Sequence, residues 1–169
     1  MKTSRLLTTI AFAFMMLVSF NVDAQEFPPL DKSPMDLAAF PARGSEKLIK
    51  VYYSRPQLKG RAVKSLTQKD KVWRTGANEA TEVVLMVDMK LGETLVKAGT
   101  YSLTTMPGDT EWTVVLKSAS SKYTASITVP ATEAKESLEA FSIAFVKSDN
   151  GVHMHMGWGT IRVAVPFTK

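Results

Sequence analysis

A chain of 169 residues with 21 Lys and Arg against 16 Asp and Glu is basic, yet it contains no block of five like charges. That scatter argues against nucleic-acid binding, which wants a stripe of cations with stacking aromatics. The absence of cysteine excludes disulfides, so packing must hold the fold.

The N-terminus reads as a secretory signal peptide over residues 1–24. Lys2 and Arg5 precede the apolar run Leu6–Phe20, and Val22-Asp23-Ala24 supplies small residues for cleavage after Ala24. The run falls short of the roughly 20 residues a spanning helix needs, and no cysteine follows it to carry a lipid. The expected product is exported, to a periplasm or outside the cell, with no membrane anchor after cleavage. Residues 25–169 suffice for one full core, since chains of this size bury about 70 % of their unfolded surface.

Residues 25–47 are expected to form an extended arm. Pro28, Pro29, Pro34 and Pro41 lack the donor a central strand needs, and Ser33-Pro34 permits at most a short helical turn after it. From Leu48 the period is two. Ile49, Val51 and Tyr53 share one strand face, and Val83, Leu85 and Val87 another within residues 80–88. Thr94–Met106 reads as two short strands around Lys97-Ala98-Gly99, and Pro107-Gly108-Asp109 as a turn. Trp112, Val114 and Leu116 alternate, as do Tyr123, Ala125, Ile127 and Val129. Residues 132–139 are ambiguous: Ala134, Lys135, Glu136 and Leu138 favour helix locally, while Phe141, Ile143 and Phe145 resume strand alternation. Asp149-Asn150-Gly151 predicts a hairpin with Asn-Gly in a primed turn. Val152, Met154 and Met156 then oppose His153 and His155, Gly157-Trp158-Gly159 marks a bulge or bend, and Ile161, Val163, Val165 and Phe167 close the chain. The expected fold is all-β: a single antiparallel β-sandwich, jelly-roll-like, over residues 48–169 with an extended Pro-rich N-terminal arm.

Cations crowd residues 53–81. Arg55, Lys59, Arg61 and Arg74 fall in loops or at strand ends, with Trp73, Asn78 and Glu79 among them. Arginine grips carboxylate or phosphate through paired hydrogen bonds, and Gly60 and Gly76 would let backbone N–H groups approach an anion. One reading is a small anionic or glycan ligand: Arg55, Arg61 and Arg74 hold the anion, Trp73 stacks, Asn78 orients, and Glu79 sets Arg74. The other is an internal network, with Arg74 on Glu79 and Trp73 in the core. His153 and His155 share a strand face and offer a two-imidazole metal site, for which Glu79 or Glu111 would have to supply a third ligand. A hydrolase would use Glu79 as acid or base, although an adjacent Arg lowers a carboxyl pKa and makes it a poor acid. No cofactor is expected.

The segments Tyr53-Ser54-Arg55-Pro56, Lys59-Gly60-Arg61, Val72-Trp73-Arg74-Thr75-Gly76-Ala77-Asn78-Glu79-Ala80-Thr81, Ala98-Gly99-Thr100-Tyr101 and Glu111-Trp112 resemble the domain of unknown function 2911 family of bacterial exported proteins, from about Ser33 to Phe167. The resemblance implies an exported β-rich domain and no assigned activity. The stretch Val63–Asp70 departs from it, lacking the Phe-Gly and Pro-Tyr-Gly common in that family.

Overall fold

The computed structural model describes residues 26–169, so the leader expected over residues 1–24 lies outside the described residues. Residues 31–169 form one compact unit, and residues 26–30 carry no secondary structure. The described residues contain nine strands: β1 (Met35–Phe40), β2 (Ile49–Ser54), β3 (Glu82–Leu85), β4 (Met89–Leu91), β5 (Thr94–Val96), β6 (Gly99–Pro107), β7 (Glu111–Ser118), β8 (Thr124–Ser148) and β9 (Gly151–Thr168). One helical turn, α1 (Val63–Leu66), interrupts the β2–β3 connection. All strand pairs are antiparallel, in the order β1-β2-β3-β6-β7-β8-β9-β4-β5.

Alternation explains the strands. Trp112, Val114 and Leu116 are buried on β7, and Val152, Met154, Met156 and Trp158 on β9; Thr113, Val115, His153 and His155 between them are less buried, because strand side chains alternate. Within the proline-rich arm, Met35–Phe40 forms an edge strand, with Asp36 opposite Tyr53 and Ala38 opposite Val51. No helical turn follows Ser33-Pro34. Pro34 precedes this strand and its carbonyl accepts from Arg55 N at 3.0 Å, so the missing proline donor costs no ladder bond.

β8 and β9 run for 25 and 18 residues, well beyond the usual 3–10 or so, and both bend. The β8 register shifts between Glu133 and Leu138 and again between Leu138 and Ser142. On β9, Gly159 adopts φ +55°, where an L side chain would be strained. Arg162 ties the bends together, donating to Gly159 O at 2.8 Å, Ile161 O at 2.9 Å and Glu136 O at 2.7 Å. The ambiguous stretch 132–139 is therefore strand: pairing with β9 outweighs its local helix propensity. Beyond the bends the hairpin returns on itself, and Lys169 N donates to Asn150 O at 2.9 Å. The doubled hairpin and the remaining strands enclose one hydrophobic core.

The β2–β3 connection closes the end of the sheet where β6 finishes. Gln57 bridges to Ala140, and Trp73 to Thr105. α1 seats Val63 against Gly159, where a Cβ would lie 2.9 Å from Val63 Cγ2. Buried threonine hydroxyls are satisfied within the protein: Thr81 Oγ1 donates to the Thr75 carbonyl at 2.8 Å, and Thr75 Oγ1 to Thr105 Oγ1 at 3.2 Å.

Candidate functional site

The basic run divides once folded. Arg55 leaves the end of β2 and lies along β8. Its Nε donates to Phe141 O at 3.2 Å, Nη2 to Ser142 Oγ at 2.9 Å, and Nη1 to Asp36 Oδ2 at 3.3 Å. Arg61 folds back on its own loop, bonding Leu58 O at 2.9 Å and Gln57 O at 3.0 Å. Lys59 is exposed with φ 49°, and its backbone N–H donates to Glu139 Oε1 at 2.7 Å. Arg55 and the Lys59 backbone clamp the connection onto residues 139–142 of β8. Leu58 N and Trp158 Nε1 both donate to Glu139 O, and Phe141 N donates to Pro56 O.

Trp73 is not an open stacking wall. It stacks on Trp158 at 5.5 Å, meets Phe141 at 5.0 Å and stands edge-on to Trp112 at 6.0 Å. Arg55 and Trp73 thus meet on opposite sides of one residue, Phe141, with their polar and aromatic groups already engaged. Arg74 does not pair with Glu79 among the described residues. Its Nη1 takes Asn78 O at 2.8 Å, and Asn78 Nδ2 reaches Asp31 Oδ1 at 3.0 Å. Glu79 instead borders a separate hollow with Tyr52, Ser54 and Glu82. The four groups expected to converge are therefore dispersed: Arg61 and Arg74 bond carbonyls of their own loops, where short local bonds form at little entropic cost, while Arg55 reaches across to β8 and to Asp36.

The buried polar centre near this clamp is Tyr53. Its hydroxyl accepts from Ile143 N at 2.9 Å and lies 3.2 Å from Asp36 Oδ2. Burial pushes this phenol above its ordinary pKa, opposed by the backbone bond at Ile143. Tyr53→Phe is expected to lower stability by about 1–3 kcal/mol, because the Ile143 N–H loses its acceptor inside the protein. A urea titration measures this, and a midpoint matching the parent would refute it.

His153 and His155 share the outer face of β9, with ring centroids 6.2 Å apart. Glu111 begins β7 opposite Pro130 and Glu79 lies in the hollow with Tyr52, so neither joins them. No group of three or more His, Cys, Asp or Glu ligands occurs among the described residues.

A second cleft lies at the other end of the sheet, where β6 begins. It encloses about 660 Å³ and draws its walls from four places: Phe40 and Leu48 beside the β1–β2 connection, Lys90 and Glu93 of the β4–β5 hairpin, residues 147–151 of the β8–β9 hairpin, and Thr168 with Lys169. The ion pairs among the described residues are Arg55–Asp36, Lys64–Asp109, Lys69–Asp109 and Lys97–Asp88. Lys90, Lys147 and Lys169 thus bring three ammonium groups to the cleft outside any such pair. Glu93 and Asp149 also border it. Sequence reasoning missed this site because its lysines are 57 and 22 positions apart along the chain, and each alone resembles an ordinary solvated cation. A smaller cavity of about 170 Å³ lies at the clamped end, beside the Lys69–Asp109 pair.

A family model described as "Protein of unknown function (DUF2911)" matches residues 33–167. No curated protein and no solved structure matches the chain.

Proposed function

We propose that this chain, which belongs to the DUF2911 family of proteins of unknown function, is an exported binding module for a small organic anion. Export is supported by the leader-like start, Lys2 and Arg5 ahead of Leu6–Phe20. The anionic ligand foreseen for the arginines is reassigned to the lysine cleft, because the arginines are occupied by the protein itself.

One observation carries the reading: Lys90, Lys147 and Lys169 line a cleft of about 660 Å³ and none of them enters an ion pair among the described residues. That volume lies within the roughly 300–1,000 Å³ of small-molecule sites. Ammonium groups act as mobile point charges toward carboxylate or phosphate. Phe40 and Leu48 supply apolar wall for a carbon skeleton, and Ser148, Asn150 and Thr168 supply hydrogen-bonding side chains.

The test is calorimetric titration of the untagged chain with mono-, di- and tricarboxylates and phosphate monoesters. Saturable binding that weakens with salt is expected. The double variant Lys90→Ala, Lys147→Ala should bind at least tenfold more weakly, with its melting temperature unchanged because both side chains are exposed. Absence of binding across the panel, or equal binding by the double variant, would remove the proposal.

A further inference from the structure

Outside the cleft, the outer face of the β8–β9 hairpin presents two imidazoles to solvent. His153 and His155 alternate with Val152, Met154 and Met156, which are buried in the core, so the strand period itself holds both rings on one side. Their centroids are 6.2 Å apart and their planes are tilted by 42°. Across the ladder His153 faces Val146 and His155 faces Ala144. Neither neighbour carries a charge or a side-chain donor, and neither imidazole takes a side-chain hydrogen bond among the described residues. The arginines of the clamp are tied up internally, whereas these four ring nitrogens are not.

The geometry points to a chelating site for a divalent transition-metal ion of the zinc, copper or nickel class, held by His153 and His155 with its remaining positions open to water or to an outside ligand. Imidazole nitrogen is the preferred donor for these borderline cations. Bonds of about 2.0–2.1 Å in a tetrahedral sphere put two nitrogens roughly 3.4 Å apart. Modest rotation of both rings reaches that spacing, and the paired hairpin beneath keeps the backbone fixed while they turn. Two protein donors distinguish this from a closed structural site, which takes four. The ion is exchangeable, and the fold does not depend on it.

The probe is zinc chloride titrated by calorimetry into the untagged chain, repeated with copper(II) followed by electron paramagnetic resonance. One equivalent should bind, and the copper spectrum should carry coupling from imidazole nitrogen. His153→Gln and His155→Gln should each weaken binding about a hundredfold, because losing one arm removes the effective-concentration advantage of the pair. Both side chains are only half-buried on an outer face, and far-ultraviolet circular dichroism checks that each variant folds. A flat titration, or binding that persists in the double variant, would overturn the inference. Neither outcome bears on the lysine cleft, which shares no residue with this site.

Discussion

Gly151→Ala is expected to destabilise the domain by about 3 kcal/mol or more, at or above the usual upper range for inserting one methyl group. A Cβ on Gly151 would lie 2.8 Å from Thr168 Cα and closer still to the Phe167 carbonyl oxygen. Both obstacles are backbone, so no side chain can rotate away. The two ends of β9 meet here, where Lys169 N bonds Asn150 O. Relieving the clash must therefore part the doubled hairpin at its closure. Denaturant unfolding should give a lower midpoint with an unchanged slope. The substitution also disturbs the floor of the lysine cleft, so anion binding should fall with it. A loss below about 0.5 kcal/mol would mean that the two ends of β9 are not packed as described.

Phe141→Ala should cost about 3–5 kcal/mol, the range for removing a large buried aromatic. Phe141 is 1 % exposed and joins the aromatic cluster to the basic clamp. Its ring stands edge-on to Tyr53 at 5.7 Å and also meets Trp73 and Trp158. Its backbone N–H serves Pro56 O, and its carbonyl takes Arg55 Nε. Edge-to-face aromatic pairs add about 0.5–1.5 kcal/mol beyond buried area, which places this site at the upper end of the range. Tryptophan fluorescence gives a second readout: Trp73 and Trp158 should shift to longer wavelength as water reaches the vacated space. An unshifted spectrum with near-parent stability would contradict the cluster's role.

These two positions also mark where sequence reasoning succeeds and fails. Phe141 is read as part of a strand from its alternation with Ile143 and Phe145, and it lies in β8 with its ring buried. Gly151 is foreseen in a hairpin, and the hairpin exists, but for a different physical reason. A primed turn needs positive φ at its central residues, and none of Asp149, Asn150 or Gly151 has it. The two-residue loop is Asp149-Asn150, with Ser148 paired to Gly151. Glycine is required there by a strand arriving from the far end of the hairpin, which no local window contains. The helical composition of residues 132–139 misleads in the same way, since the β9 segment that pairs with them lies well downstream.

The chain's own order of residues determined most of its strands, their inward and outward faces and its all-β class, because alternation acts between neighbours two positions apart. Only the tertiary structure decided what its charges do. Arg55, Arg61 and Arg74 look like a site when read in a row. Folding supplies each with a carbonyl or carboxylate partner, while Lys90, Lys147 and Lys169 meet at one cleft unpaired. Which cation is satisfied and which is left free depends on groups brought together across a doubled sheet, and that proximity is a property of the closed fold alone.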